Sequence, residues 1–155
     1  MIKALLFDFA RTLLFPVNKT YQGGLNSLYR KLVQTPNFDF LSNFELNEEA
    51  FIFLGNLKYK YKLYMFTSES IQDAPEIKDK VDSLFDKIFS AEQMMLDKKD
   101  TETYKKLADI MELDVQDILF VDDNPDNILA ARDAGMTTLQ YKDNKSLMNY
   151  ITSLE

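Results

Sequence analysis

Ile118-Leu119-Phe120-Val121-Asp122-Asp123-Asn124-Pro125 is the stretch on which the reading of this chain turns. Four apolar residues in a row suit a strand buried on both faces, the kind found inside a parallel sheet. Two adjacent acids follow at the strand's end, where they repel each other unless a cation holds them. Asn124-Pro125 reads as an N-cap with proline at the first helical position, and Gly135 stands where a left-handed residue would end that helix. A buried strand, a polar turn and a capped helix in direct succession make up half of a strand–helix–strand unit.

The same grammar repeats outward in both directions. Ala4-Leu5-Leu6-Phe7 within Ile2 to Phe9, Lys62 to Phe66, Lys87-Ile88-Phe89 and Thr137 to Tyr141 are further short apolar runs. Between them lie stripes at helical spacing: Ala50, Phe51, Leu54 and Leu57; Ile77, Val81, Leu84 and Phe85; Tyr104, Leu107, Ala108 and Met111; and Leu147, Tyr150, Ile151 and Leu154. Strand and helix in alternation, repeated about five times, predict a three-layer α/β/α sandwich around a parallel, Rossmann-like sheet. Residues 14–46 break the rhythm. They hold a helical face (Leu25, Leu28, Tyr29, Leu32) preceded by Gly23-Gly24 and followed by the irregular Thr35-Pro36-Asn37-Phe38. This stretch reads as a small cap or flap inserted after the first strand, within a single domain spanning 1–155.

Composition narrows the chemistry. The 155 residues are 46% apolar and 28% charged, an ordinary globular balance for a chain long enough to bury a core. The chain has no histidine and no cysteine, which removes histidine-based triads, thiolate zinc sites, iron–sulfur clusters and disulfides. Four glycines (Gly23, Gly24, Gly55, Gly135) cannot spell either common glycine-rich phosphate loop. Carboxylates, hydroxyls and lysines are left to do any catalysis. A net charge of −7 with no basic run predicts no nucleic-acid partner. The apolar start at Met1 is too short for a signal peptide or a membrane span, so a cytoplasmic protein with no membrane association is expected. Oligomeric state leaves no trace in the sequence.

In a parallel α/β sheet the ligand crevice lies beyond the carboxyl ends of the strands. Asp8 follows the first strand there, Thr67 and Ser68 the second, and Asp122 and Asp123 the fourth, while Lys98-Lys99 precedes the helix at Tyr104. Three carboxylates, a hydroxyl and an amine so gathered suit Mg²⁺, which takes oxygen ligands and keeps several waters. A metal-bound carboxylate beside a lysine is also a workable nucleophile toward phosphorus. Asp126 and Asn127 read as first-turn helix residues rather than ligands.

These segments resemble, in order and over nearly the whole chain, the four motifs of the haloacid dehalogenase-like (HAD) superfamily. Leu5 to Leu13 is similar to its hhhDxDxT segment, Tyr64-Met65-Phe66-Thr67-Ser68 to its second motif, and Lys98 to Tyr104 to its K-P-D-P-x-x-Y form. Ile118 to Asn124, running on to Ala134-Gly135-Met136, is similar to the acidic fourth motif. The resemblance implies an aspartyl-phosphate mechanism on a phosphorylated substrate, most simply a small molecule. Asp8 would be nucleophile and Mg²⁺ ligand, with the backbone carbonyl of Ala10, Asp122 and Asp123 completing the metal site. Thr67, with Ser68, would bind the phosphoryl group. Lys98, or its neighbour Lys99, would neutralise the nucleophile and the group in transfer.

Two positions depart from the pattern. Ala10 stands where most of the family's phosphatases carry a second aspartate as general acid and base, a role typically worth about 10²–10⁴-fold. Arg11 stands where the family usually has glycine, and as a cation beside the nucleophile it is a candidate for substrate binding. Ala10 therefore keeps two alternatives open. One is a non-catalytic phosphate-binding or interaction protein. The other is a phosphonatase-type carbon–phosphorus hydrolase, which needs a cap lysine, for which Lys19 and Lys31 are available. A dehalogenase is disfavoured, because that chemistry has no need of a paired acid site.

Overall fold

The computed structural model describes residues 1–154. In chain order the elements are β1 (Ala4–Phe7), β2 (Leu14–Pro16), α1 (Leu25–Leu32), β3 (Phe44–Leu46), α2 (Glu48–Gly55), β4 (Lys62–Thr67), α3 (Lys78–Leu84), β5 (Lys87–Ser90), α4 (Ala91–Met94), α5 (Thr101–Met111), β6 (Ile118–Asp122), α6 (Pro125–Ala134), β7 (Thr137–Gln140) and α7 (Asn144–Ser153). Five strands form one parallel sheet in the order β5-β4-β1-β6-β7. This is the expected three-layer α/β/α arrangement.

Alternation along the central strand explains the layers. Ala4 and Leu6 of β1 point to one face, where Phe66, Phe120, Tyr104, Leu107, Ile128 and Ala131 bring in α5 and α6. Leu5 and Phe7 point to the other, against residues of α2, α3 and α7 such as Leu54, Val81 and Ile151. A strand buried on both faces must be apolar at every position, hence the unbroken Ala-Leu-Leu-Phe. The outer strand β7 is only partly covered, which fits its Thr-Thr-Leu-Gln composition.

The helix ends follow the sequence signals. Asn124 caps α6 by accepting from the Asp126 N–H at 2.9 Å, Pro125 occupies its first turn, and Gly135 closes it at φ 103°. Three of the apolar stripes run past their helices: Leu57 lies in the turn after α2, Ile77 and Phe85 flank α3, and Leu154 follows α7.

Within residues 14–46, α1 carries the predicted face, and β2 and β3 pair antiparallel at the two ends of the stretch, with Leu14 opposite Leu46. Three-residue strands are too short to show a period. Leu25, Phe40 and Phe44 belong to the same apolar cluster as Leu5 and Phe7, so this stretch packs onto the main core. Tyr29 meets Phe40 edge-on at 5.8 Å, and Phe40 lies 4.9 Å from Phe44.

In this strand order the chain reverses direction across the sheet beside β1, between β1 and β6. That switch point opens a crevice at their carboxyl ends. Asp8 follows β1 and Asp122 ends β6. Among the described residues, no helix is long and apolar enough to cross a membrane.

Candidate active site

Asp8 continues the sheet ladder by donating its N–H to the Val121 carbonyl at 2.8 Å, which fixes its side chain beside the end of β6. Asp122 is fully buried there. Its Oδ1 accepts from the Asn124 N–H at 2.8 Å, and its Oδ2 accepts from Asn127 Nδ2 at 3.0 Å. Carboxylate oxygens of Asp8, Asp122 and Asp123 all lie within 4.8 Å of one another.

One cation enters this cluster. Lys98 Nζ lies 2.6 Å from Asp8 Oδ1 and 3.1 Å from Asp122 Oδ2. The residue is nearly buried, whereas Lys99 points outward and pairs with Asp126 at 3.6 Å. The structure thus separates two adjacent lysines that the sequence left interchangeable. The loop carrying Lys98 is held from below, because Tyr104 Oη donates to the Lys98 carbonyl at 2.6 Å. Tyr104 in turn packs on Phe120 at 5.0 Å and edge-on against Phe66 at 6.0 Å. The ammonium sits over those same two rings, 5.2 Å from Phe66 and 6.0 Å from Phe120, whose faces favour a cation.

The electrostatics follow from burial and crowding. Burial pushes the Asp8 carboxyl up to about 8 against the pull of Lys98, with Asp122 adding to the rise. Burial and Asp122 push Asp123 up to about 6. For Lys98, burial works against the charged form, but Asp8 and Asp122 outweigh it and hold the ammonium above its ordinary value. Burial, then the Asp122 and Asp8 charges, raise Tyr104, which stays a proton donor. One ammonium does not balance three carboxylates. The surplus negative charge and the all-oxygen donor set fit a hard divalent cation such as Mg²⁺.

Thr67 ends β4 with its side chain buried, and its hydroxyl donates to Gln72 Oε1 at 3.3 Å. Ser68 is exposed and, with Lys98, Glu69, Glu92, Asn124 and Asn127, lines an open cleft of about 470 Å³. Arg11 has its backbone in the left-handed region at φ 61°. Its guanidinium donates to the Tyr21 carbonyl at 3.0 Å and the Gly23 carbonyl at 2.7 Å, tying the loop before α1 to the segment after β1. Ala10 is half-buried in that segment and bridges to Leu14. Lys19 pairs with Glu45 at the surface, and Lys31 is exposed.

Two residues have a part in this geometry that the sequence does not announce. Asn127 looks like an ordinary first-turn helix residue, but it is buried and donates to Asp122. Gln72 sits in a 3₁₀ turn (Ile71–Asp73) that no apolar period announces. The signal for Asn127 was its position three residues after the capping Asn124, one turn into the helix and facing back toward the strand end.

Residues 19–135 match the family model described as haloacid dehalogenase-like hydrolase. An enolase-phosphatase E1 of Hydrogenobaculum sp. is 34% identical over 97 residues, 59% of this chain and 43% of that protein. The drimenol cyclase drtB of Aspergillus calidoustus is 28% identical over 101 residues, 64% of this chain and 19% of that protein. The chain therefore spans less than half the length of these two curated relatives. In fold it resembles a HAD family enzyme of Bacteroides thetaiotaomicron crystallised with magnesium and inorganic phosphate. The TM-score is 0.66 at 16% identity, over 95% of this chain and 99% of that one. A 2-haloacid dehalogenase of Pseudomonas syringae pv. Tomato gives a TM-score of 0.64 at 18% identity, over 91% and 86% of the two chains.

Proposed function

The chain belongs to the haloacid dehalogenase-like hydrolases, and from that premise we propose that it is a Mg²⁺-dependent phosphohydrolase acting on a small phosphate ester through an aspartyl-phosphate on Asp8. The observation that carries this reading is the buried Asp8–Lys98–Asp122 arrangement, with Asp123 beside it. A carboxylate oxygen of Asp8 attacks phosphorus, the bond to the ester oxygen breaks, and the leaving group departs with the electron pair. Water then attacks phosphorus, the phosphorus–oxygen bond to Asp8 breaks with its electron pair returning to the carboxylate, and inorganic phosphate departs as the water gives up a proton to solvent. Lys98 keeps the nucleophile and the transferring group from facing each other as uncompensated anions. Thr67 and Ser68 bind phosphoryl oxygens, and Arg11 ties the loop before α1 to the segment that follows Asp8.

Asp8, Asp122 and Asp123, with the Ala10 carbonyl, are the residues that would hold Mg²⁺, which when bound neutralises this cluster and draws charge from the phosphoryl oxygens. The phosphatase relative and the magnesium- and phosphate-bound structural neighbour support the choice of substrate class and metal. Residues 14–46 act as a small flap on a single domain. One observation favours a second reading: the methyl group of Ala10 has no proton to give, which suits a phosphate-binding protein without turnover.

Hydrolysis of p-nitrophenyl phosphate, with and without Mg²⁺ and with Asp8→Asn as blank, separates the two. Activity that requires both the metal and Asp8 is the expected result. Folded protein that binds phosphate but gives no more product than the Asp8→Asn blank would instead assign the binding role.

A further inference from the structure

The buried threonine that ends β4 is connected, bond by bond, to the helix of the insertion. Thr67 Oγ1 donates to Gln72 Oε1 at 3.3 Å, and Gln72 Nε2 donates to the Glu69 carbonyl at 2.9 Å. That pair of bonds settles which end of the Gln72 amide faces Thr67. Gln72 is 2% exposed, so its amide has no water to fall back on. The turn that carries it is held in place by a residue from a distant part of the chain. Asn26, in the first turn of α1, is buried, and its Oδ1 accepts from both the Ser70 N–H at 3.3 Å and the Ile71 N–H at 3.0 Å. Ile71 is itself fully buried. A second tie runs alongside at the surface, from Arg30 of α1 to the Glu69 carboxylate.

A buried asparagine near the start of a helix is a poor choice for packing alone, since its amide costs free energy unless it is bonded. Here its acceptor oxygen satisfies two backbone donors of the loop that follows Thr67. We infer that Asn26 is a positioning residue for phosphoryl binding: α1 fixes the loop at residues 68–73 through Asn26, while Gln72 Oε1 is the acceptor for the single Thr67 hydroxyl proton until a phosphoryl oxygen replaces it. This rests on the proposed role of Thr67 at the phosphoryl group. It gives the insertion a second task besides covering the crevice, namely ordering the phosphate-binding loop in advance. Order supplied before binding is order that the ligand need not impose, so its loss falls on affinity. Because the phosphoryl group is held in ground and transition states alike, the loss appears in KM more than in kcat.

The test measures inorganic phosphate affinity by calorimetry in Mg²⁺ buffer, and kcat and KM for p-nitrophenyl phosphate, in wild type, Asn26→Ala, Asn26→Asp and Gln72→Ala. Asn26→Ala should weaken phosphate binding and raise KM by about tenfold, the scale of one or two lost hydrogen bonds, with kcat within about threefold. Asn26→Asp keeps the accepting oxygen and should recover most of the loss, which a purely space-filling role would not predict. Gln72→Ala frees the Thr67 proton with the Asn26 tie intact and should not raise KM; Asn26→Leu, which keeps the volume but lacks the accepting oxygen, is measured in place of Asn26→Ala should that variant fail to fold. Wild-type affinity in folded Asn26→Ala or Asn26→Leu, or equal impairment in Asn26→Ala and Asn26→Asp, overturns the inference alone. A wild-type protein that neither binds nor hydrolyses phosphate overturns the reading of the site, and this inference with it.

Discussion

Lys98 and Asp8 form a buried ion pair, Nζ to Oδ1 at 2.6 Å, with each side chain only 7% exposed, although ninety residues separate them in sequence. Neither charge is stable there by itself. Removing one partner of such a pair typically costs about 3–5 kcal/mol, because the other is left buried and uncompensated. Here the loss also leaves Asp8 facing Asp122. Lys98→Met should therefore destabilise the protein by that order of magnitude in urea unfolding. Adding Asp8→Asn should return part of the loss, since the amide no longer needs a counter-charge. Strict additivity of the two substitutions would mean that the pair contributes nothing to stability.

The pH dependence has a sign that follows from the same burial. Asp8 is pushed up to about 8 and Asp123 to about 6, both above the 3.8 of a free aspartate. The folded metal-free protein thus binds more protons than the unfolded chain between roughly pH 4 and 8, and its stability falls as pH rises through that window. Thermal melts in EDTA should show a lower Tm at pH 8 than at pH 5.5, and Mg²⁺ should remove most of the difference. Metal binding favours the ionised form of the raised Asp8 and Asp123 carboxyls, so calorimetry in two buffers of different ionisation enthalpy should report net proton release on adding Mg²⁺ near neutrality. A Tm that rises from pH 5.5 to 8 without metal contradicts the account.

Much of this site was legible because it depends on strand ends. Once the apolar runs at Ala4 to Phe7 and Ile118 to Val121 are read as neighbouring parallel strands, Asp8 and Asp122 must meet, whatever the details of packing. The choice between Lys98 and Lys99 was not legible. It depends on which way one turn of loop faces, and that is set by Tyr104 bonding the Lys98 carbonyl and by two aromatic rings under the ammonium. Gln72 and the β2–β3 pairing escaped for the same reason: three-residue elements carry no period, and tertiary contacts alone define them. Arg11 was read by its charge, whereas its backbone conformation and its two carbonyl partners account for its place in the fold.

Arg11 offers a test of that account. A left-handed backbone at a residue with a Cβ costs roughly 1–2 kcal/mol, and the guanidinium offsets it through the Tyr21 and Gly23 carbonyls. Arg11→Ala keeps the strained backbone and loses both bonds, so it should destabilise by about 1–3 kcal/mol. Arg11→Gly loses the bonds but relieves the strain, and it should be more stable than Arg11→Ala by about 1 kcal/mol. Chemical denaturation of the two variants decides the matter. An Ala variant at least as stable as the Gly variant would show that the positive φ carries no cost.

Ala10 leads to the last prediction, which concerns the leaving group rather than the nucleophile. With a methyl group at position 10, nothing at that position donates a proton as the ester bond breaks, so the leaving oxygen departs carrying its charge. The rate should then depend steeply on how well the leaving group bears that charge. Across a series of substituted phenyl phosphates, log kcat/KM should fall strongly as the phenol pKa rises, and alkyl phosphates should react very slowly. Ala10→Asp places a carboxylic acid two residues beyond Asp8. If that acid reaches the leaving oxygen, it should raise the rate on poor leaving groups by up to about 10²-fold, the lower end of general acid catalysis. It should leave the best phenols nearly unchanged, flattening the slope. A slope already shallow in the wild-type enzyme would mean that another proton donor serves the leaving group, and the search for it would begin among the residues lining the cleft beside Lys98.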